Sequence, residues 1–256
     1  MISLKNVSLN FSGVKALNNF SMDVSSQGIS GLIGPNGAGK STVFNVITHL
    51  SAYQSGEIYF ENQLLSHLST EKITALGISR TFQNIRLLGN LTVLDNLYFA
   101  SIYERRGSFV SSLFQTELYH QQKKHLLDRA HMLLDLFSLS RHMSRMPTTL
   151  AYGEQRKLEI ARSLMRQPKL ILLDEPAAGM NDTEKVQLAN IIQKISSMGV
   201  KVLVIEHDMK FLMGICQDVF VLNQGNLIAH GKPLDVQKND DVISIYLGKP
   251  ISTMSS

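Results

Sequence analysis

The 256-residue sequence has a single cysteine, Cys216, no tryptophan and no long uninterrupted apolar run. One cysteine excludes a disulfide within the chain and suits a reducing compartment. Cys216 lies in an apolar stretch, which predicts a packed thiol rather than a reactive one. No window reaches the ~18 apolar residues of a membrane span, and the first residues lack the apolar region of a signal peptide. If the chain serves a membrane, we therefore expect it to dock onto other chains that span the bilayer.

The charge is nearly balanced, with 25 Lys and Arg against 21 Asp and Glu and a net charge of +4. So small a surplus, without a long run of Lys or Arg, predicts a solvated surface and no nucleic-acid partner. Apolar residues make up 44% of the chain, which is enough for a sizeable core. The length suits one large α/β domain, or a core with a smaller lobe.

A glycine-rich segment is the strongest positive signal. Residues 34–42 read GPNGAGKST and match the pattern G-x-x-x-x-G-K-[ST] at every fixed position. An apolar run precedes the segment and a helix-compatible stretch follows it, the context that a phosphate-binding loop requires. Glycines let backbone N–H groups point at the phosphates, Lys40 supplies a positive charge, and the Ser41 hydroxyl can bind Mg²⁺. The predicted nucleotide-binding residues are Gly34, Pro35, Asn36, Gly37, Ala38, Gly39, Lys40, Ser41 and Thr42.

Polar residues follow two further apolar runs. Asp174 and Glu175 follow 170–173, and His207 comes shortly after 202–205. At the carboxyl end of a parallel strand such side chains face the ligand crevice. Alone, the acid pair is equally consistent with helix capping, and a lone histidine is more often structural. Beside a phosphate loop we predict that Asp174 holds Mg²⁺, Glu175 activates water and His207 reaches the γ-phosphate.

The pattern of apolar and polar residues along the chain predicts three structural regions: a β lobe, an α/β core and a helical subdomain. Residues 1–33 favour an antiparallel β lobe, and 90–148 favour a helical subdomain inserted into an α/β core. The apolar runs at 170–173 and 202–205 predict a mostly parallel sheet, and a hairpin is expected around 224–226. Four histidines of the helical segment are expected at the surface rather than at a metal: His120, His125, His131 and His142.

The segment 150–155 reads LAYGEQ and precedes an amphipathic helix. Gly153 near a helix start exposes backbone N–H groups, which favours anion binding, although the signal is weak by itself.

Taken together, order and spacing make the chain similar to ATP-binding cassette (ABC) ATPases over nearly its whole length. The motifs carrying this resemblance are Phe11 before a Gly13-Val14 turn, GPNGAGKST, Gln83 in RTFQN, LAYGEQ, LILLDE at 170–175 and His207. The resemblance implies a P-loop NTPase core with a mostly parallel sheet, an antiparallel β lobe and an inserted helical subdomain. It implies one ABC ATPase domain over 1–256, with the core at about 1–89 and 149–240, the helical subdomain at about 90–148 and a tail at 241–256.

The resemblance also implies roles for individual residues. Phe11 would stack on adenine, Gln83 would touch Mg²⁺ and the attacking water, Glu175 would be the catalytic base, and His207 the switch histidine. The residues implied in catalysis are Glu175, His207, Lys40 and Gln83. The implied magnesium-binding residues are Ser41, Gln83 and Asp174.

The segment LAYGEQ of one subunit would face ATP on a second subunit through Ala151, Gly153 and Glu154. The family's usual signature is L-S-G-G-Q, so this chain departs from it at Ala151, Tyr152 and Glu154. Loss of the serine hydroxyl at Ala151 removes one γ-phosphate donor. Asn181 replaces the aspartate that many members carry after the acid pair, which alters the usual contact across subunits.

With these departures, the chain is similar to the ATP-binding subunits of bacterial branched-chain amino-acid importers in four segments: LAYGEQRKLEIARSL, LLDEPAAGMN, VIEHDMKFLMGICQDVFVLNQG and DVISIYLGKP. That similarity implies ATP and Mg²⁺ as cofactors and a cytoplasmic, membrane-peripheral location. It implies as partners a second ABC ATPase subunit, integral membrane permease subunits and, indirectly, an extracytoplasmic solute-binding protein.

Other functions fit parts of the pattern. Within transporters, the alternatives are uptake of urea or amides and export of lipid. A regulatory, DNA-associated or ribosome-associated cassette would be expected to carry a coiled-coil insertion, a second cassette or a basic run, and the sequence has none of these. A GTPase would commonly carry N-K-x-D, which is absent.

Overall fold

The computed structural model describes residues 1–11, 13–24, 28–102 and 117–246, which form two sheets and their covering helices. One sheet has four strands and the other has six. The helices of the described residues are α1 (Lys40–Ile47), α2 (Thr70–Ala75), α3 (Val93–Ile102), α4 (Glu117–Leu136), α5 (Tyr152–Leu164), α6 (Asp182–Ser197), α7 (Met209–Ile215), α8 (Pro233–Gln237) and α9 (Asp240–Tyr246).

The four-stranded sheet is the antiparallel lobe. Ile2 pairs with Val24 on one side and with Phe60 on the other, so the first strand lies between its two partners. Its buried residues alternate along the strands, as a sheet with one covered face requires. The strands are β1 (Ile2–Phe11), β2 (Val14–Val24), β4 (Ser55–Phe60) and β5 (Gln63–Leu64), in the order β2-β1-β4-β5.

The six-stranded sheet is parallel except for its last strand. Its strands are β3 (Ile29–Ile33), β6 (Ile78–Arg80), β7 (Leu170–Asp174), β8 (Lys201–Ile205), β9 (Asp218–Asn223) and β10 (Asn226–Gly231), in the order β10-β9-β3-β8-β7-β6. Strands β9 and β10 form the antiparallel hairpin predicted around 224–226, and the other pairs are parallel.

Both faces of the parallel sheet are covered. Every residue of β3, β7 and β8 is buried, which explains their continuous apolar runs. In β7, Leu170 and Leu172 pack into the core shared with α1 and the antiparallel lobe. Ile171 and Leu173 pack into the opposite core, which is shared with α3 to α7. The prediction of an α/β chain with a parallel sheet and an antiparallel lobe is confirmed.

The segment 90–148, predicted to be helical, contains α3 and α4, while 103–116 lie outside the described residues. Both helices pack against α5. His120, His125 and His131 are exposed as predicted, but the prediction for His142 is wrong. His142 is only 7% exposed, because the short 3-10 turn at 140–142 directs its side chain towards Glu154 of α5.

Among the described residues, every helix is too short or too polar to span a lipid bilayer. Residues 240–246 form α9, with Val242 buried in the core, and 247–256 lie outside the described residues.

Candidate active site

The glycine-rich loop lies between β3 and α1 at the carboxyl edge of the parallel sheet. Gly39 precedes α1 in a left-handed conformation with φ of 106°. A Cβ at Gly39 would stand 2.4 Å from the backbone oxygen of Ala16 in β2. Only glycine combines that backbone angle with so close an approach.

The first turn of α1 presents unused donors. The first helical hydrogen bond runs from Val43 N to Gly39 O, at 3.0 Å. The N–H groups of Lys40, Ser41 and Thr42 therefore precede the ladder and lack partners within the helix. Together with the positive end of the helix dipole, they form an anion-binding surface.

Lys40 lies inside the loop. Its Nζ donates to the backbone oxygens of Gly34 at 2.7 Å and Pro35 at 3.0 Å, and the residue is 6% exposed. Burial lowers the pKa of Lys40, while the charges of Glu175 and Asp174 oppose that shift. An anion at the loop would add a countercharge beside this buried ammonium.

Asp174 ends β7 and is 4% exposed. Its Oδ2 accepts a hydrogen bond from Arg80 Nη2 at 3.0 Å. Burial raises the pKa of Asp174, and the Arg80 hydrogen bond and charge oppose that rise. Arg80 also donates to Asn45 Oδ1 in α1 at 2.7 Å, so it ties the acid to the helix of the phosphate loop.

Arg80 is a site residue that sequence reasoning missed. It lies 94 positions from its partner Asp174 in the chain. Its guanidinium lies 5.4 Å from the ring centroid of Phe44 and 5.2 Å from that of Phe82. The available signal in the sequence was weak: a charged residue at the end of the short strand Ile78–Arg80, three positions before Gln83.

Glu175 follows β7 with a φ of 46°, which is uncommon for a residue other than glycine. Its N–H donates to Ile205 O at 2.9 Å, so the backbone is held by β8. Gln83 Nε2 donates to Glu175 Oε2 at 3.0 Å, and His207 Nδ1 lies 3.8 Å from Glu175 Oε1. The structure therefore brings Gln83, Glu175 and His207 together from three different segments.

Glu206 supports this cluster and was also missed. The side chain is 1% exposed, and it accepts from Ala177 N at 2.8 Å and from His207 N at 3.2 Å. Burial raises the pKa of Glu206, and these backbone donors oppose the shift. Glu206 thereby joins the segment after β7 to the segment after β8.

Phe11 lies at the end of β1 and is 50% exposed. Its strand pairs with β2, and Ala16 of β2 borders Gly39 in the phosphate loop. The aromatic face is thus on a hairpin next to the loop, available to a planar ligand.

Ala151 precedes α5, and Glu154 Oε2 accepts from Ala151 N at 3.2 Å. The Ala151 side chain has no oxygen that could accept a hydrogen bond from Glu154 N, so this half of a capping box is missing. Glu154 Oε1 lies 3.0 Å from His142 Nε2 and accepts from Arg141 Nη2 at 3.3 Å. Burial would raise the pKa of Glu154, but the hydrogen bonds from Ala151 and Arg141 and the contact with His142 outweigh it and lower the pKa.

The segment 151–154 does not complete the site of its own chain. Within the described ranges, no hydrogen bond or ion pair joins it to residues 34–42. Gly153 is buried, and a Cβ atom added at this position would lie only 2.7 Å from Glu184 Oε1. Asn181 caps α6 by accepting from Glu184 N at 3.0 Å, so this asparagine has an intramolecular role.

The side chains of Ser41, Gln83 and Asp174 could hold Mg²⁺ only if a bound nucleotide supplied phosphate oxygens as further ligands. Among the described residues, no group of three or more His, Cys, Asp or Glu side chains could hold a metal. Mg²⁺ is usually held by one or two carboxylates, waters and substrate phosphates. Ser41 is exposed at the start of α1, Gln83 is exposed, and Asp174 has a second oxygen besides the one that Arg80 contacts.

This edge of the sheet therefore combines a phosphate-binding loop, a carboxylate suited to Mg²⁺ and a second carboxylate positioned beside an amide and an imidazole. Such an arrangement can bind a nucleoside triphosphate and activate water towards its terminal phosphate.

Comparisons with known proteins agree with this chemistry. A family model described as ABC transporter matches residues 17–178. The chain is 40% identical over 250 residues to the high-affinity branched-chain amino acid transport ATP-binding protein LivG of Escherichia coli (strain K12), covering 97% of this chain and 98% of that protein.

Solved structures give the same result. The ADP conformation of an ATP-binding cassette of an ABC transporter matches with a TM-score of 0.84 at 31% identity, covering 97% of this chain and 99% of that one. A dimeric post-hydrolysis cassette bound to ADP and Pi matches with a TM-score of 0.76 at 26% identity, covering 91% and 99%.

Proposed function

The chain belongs to the ABC transporter family, and we propose that it is the ATP-hydrolysing subunit of an importer of branched-chain amino acids. The observation that carries the ATPase assignment is the single edge of the sheet at which the Lys40 loop, Asp174 and the Glu175 cluster meet. The solute is proposed from the similarity to LivG alone, because no residue of this chain would touch an amino acid.

We propose the following roles in hydrolysis. Lys40 and the free N–H groups at the start of α1 bind the β- and γ-phosphates and stabilise the charge that develops on them. Glu175 accepts a proton from the attacking water. Gln83, which donates to Glu175 Oε2 at 3.0 Å, orients that water, and His207 contacts the γ-phosphate from the other side of Glu175.

Mg²⁺ would be held by Ser41, Gln83 and Asp174 together with the phosphates, and it would supply charge neutralisation on the phosphate oxygens. Phe11 stacks on the adenine, since its exposed ring lies on the hairpin that borders the loop.

A second ATPase subunit, of the same or a related chain, completes the site. Ala151, Gly153 and Glu154 lie at the start of α5, away from their own phosphate loop. The first helical hydrogen bond of α5 runs from Gln155 N to Ala151 O, so the N–H groups of Gly153 and Glu154 have no partner in the helix ladder and can donate to a nucleotide on a partner. The cassette of known dimeric structure offers a template for this arrangement. ATP would close the pair and hydrolysis would reopen it, because the closed state alone contacts the γ-phosphate from both sides.

Permease subunits would dock at a groove of about 500 Å³ between the core and the helical part. Leu50, Leu88 and Phe99 in its lining are exposed apolar side chains. Arg80 also lines the groove and donates to Asp174. A permease that binds in the groove and displaces Arg80 would therefore also move the carboxylate proposed to bind Mg²⁺. From the family membership and the packing of α3 and α4 against α5, we propose that residues 90–148 form a helical subdomain. From the family membership we also propose that the chain lies at the cytoplasmic face of the membrane.

The test is reconstitution. The chain is co-purified with its permease subunits, placed in liposomes with the solute-binding protein inside or outside, and assayed for ATP hydrolysis with leucine, isoleucine, valine, urea, an amide or lipid. Stimulation by the branched-chain amino acids supports the proposal. Stimulation by urea, an amide or lipid alone would reassign the solute, and recovery of ribosomes instead of membrane proteins would contradict transport. The variant Glu175→Gln serves as the control for background hydrolysis.

A further inference from the structure

Arg156 has the largest fully buried side chain among the described residues. Its guanidinium lies on α5, one helical turn after Tyr152. A buried charge is costly unless it is paired and hydrogen-bonded. Arg156 forms an ion pair with Glu159, because its Nη1 donates to Glu159 Oε2 at 2.8 Å. The Arg156 guanidinium also makes hydrogen bonds to other groups, and the roles described for the phosphate loop, Asp174 and Glu175 do not account for them.

The remaining contacts grip the segment that carries Gln83. Arg156 Nη1 donates to Phe82 O at 2.7 Å, and Nη2 donates to Gln83 O at 2.6 Å and to Tyr152 Oη at 3.3 Å. Two adjacent carbonyls are thus held by one planar fork, which fixes the orientation of both peptide groups. This segment follows β6 and has no strand partner of its own, so its backbone direction depends on such contacts.

Glu159 attaches the same segment at a second point. Its Oε1 accepts from Arg86 N at 3.2 Å, while Oε2 accepts from Arg156. The Arg86 guanidinium in turn lies 3.9 Å from the ring centroid of Phe82. Arg156 and Glu159 are three residues apart on one helix face, so they hold 82–86 against α5 as a unit.

We infer that Arg156 is a positioning residue that, through the carbonyls of Phe82 and Gln83, aims the Gln83 amide at Glu175. The inference rests on the proposed function, in which Gln83 and Glu175 act on the attacking water. It adds that α5, whose first turn is proposed to face the partner's nucleotide, also sets the glutamine of its own nucleotide site.

The structure offers a matched control for a purely structural role. Arg129 of α4 also spans two adjacent carbonyls, donating from Nη2 to Leu164 O at 2.7 Å and from Nε to Met165 O at 3.1 Å. Replacement by lysine removes the fork and keeps the charge at both sites. Arg129 is half-buried and Arg156 is fully buried. If the two guanidinium forks matter only for folding, Arg156→Lys and Arg129→Lys will both leave kcat unchanged and lower only the thermal stability.

The experiment measures ATP hydrolysis and thermal unfolding for Arg156→Lys, Arg129→Lys, Gln83→Ala and the double variant of Arg156 with Gln83. We expect Arg156→Lys to lower kcat about tenfold or more, with KM for ATP within about twofold, because small misplacements of catalytic groups are costly. Arg129→Lys leaves kcat within about twofold. In the Gln83→Ala background, Arg156→Lys lowers kcat by less than about twofold more, because the two residues act through one contact.

A second variant protects the test against misfolding. Glu159→Gln loses the charge and leaves one acceptor oxygen where Glu159 uses two, for Arg86 N and Arg156 Nη1. Arg156 keeps its bonds to the carbonyls of Phe82 and Gln83, so a smaller loss of kcat in the same direction is expected, again absent in the Gln83→Ala background. Equal losses in both backgrounds, equal effects of the two Arg→Lys changes, or an unchanged kcat in Gln83→Ala would each overturn the inference. No ATP hydrolysis by the unsubstituted chain would overturn the proposed function as well.

Discussion

Replacing Arg80 by methionine should destabilise the fold by leaving Asp174 as a buried, unpaired charge. The two side chains are 8% and 5% exposed and lie 3.0 Å apart. Removal of one partner from a buried pair typically costs about 3–5 kcal/mol of unfolding free energy. Since whole domains are stable by about 5–15 kcal/mol, this is a large fraction of the total.

The loss should depend on pH with a definite sign. Burial raises the pKa of Asp174, and Arg80 opposes that rise, so the variant holds Asp174 at a still higher pKa. An acid whose pKa is higher in the folded than in the unfolded chain favours folding when protonated, and its contribution is lost as the pH rises through that pKa. The deficit of Arg80→Met is therefore largest at neutral pH and shrinks on acidification.

Urea denaturation at about pH 7.5 and about pH 5 measures both effects. Asp174→Asn removes the charge that Arg80 neutralises, so the double variant should lose at least ~1 kcal/mol less than the two single losses combined. Arg80→Lys, which keeps the charge but cannot reach Asp174 and Asn45 together, should fall between the parent and Arg80→Met. A strictly additive double variant, or a deficit that grows on acidification, would refute the reasoning.

Three further changes test the site. Glu175→Gln should leave ATP affinity nearly intact and lower phosphate release by ~10²-fold or more, as for loss of a general base; normal turnover would remove Glu175 from the mechanism. Lys40→Ala should weaken ATP binding in calorimetry by ~10-fold or more, the scale of a charged hydrogen bond, whereas Lys123→Ala, at an exposed position of α4, serves as a charge-matched control that keeps the parental affinity. Gly39→Ala should lower the unfolding free energy by about 1–3 kcal/mol because of the left-handed backbone and the 2.4 Å approach to a backbone oxygen; an unchanged denaturation midpoint would show that the loop relaxes without cost.

The sequence predicted those parts of the site whose chemistry is local. The phosphate loop is recognisable because its glycines, lysine and hydroxyl must stand at fixed spacing on one continuous turn. The acids after 170–173 and the histidine after 202–205 were predicted for a similar reason, since an apolar run that ends in polar residues marks the end of a buried strand. The hairpin around 224–226 followed from turn chemistry.

Contacts between distant segments were beyond this kind of prediction. Arg80 meets Asp174 across 94 positions, and Arg156 meets Gln83 across 73. His142 has the composition of a surface residue yet is buried against Glu154. Each of these side chains is compatible with solvent when judged from its neighbours in the chain, and only packing against another element removes it from water.

Neighbouring residues alone were enough to predict a loop with the spacing of a phosphate-binding motif and acids at the ends of buried strands, because both patterns are local. The order β10-β9-β3-β8-β7-β6, the burial of the Arg80 and Arg156 guanidiniums and the meeting of Gln83, Glu175 and His207 were decided by tertiary structure. Strand neighbours and buried ion pairs are chosen by packing over long separations, on which hydrophobic periodicity carries no information.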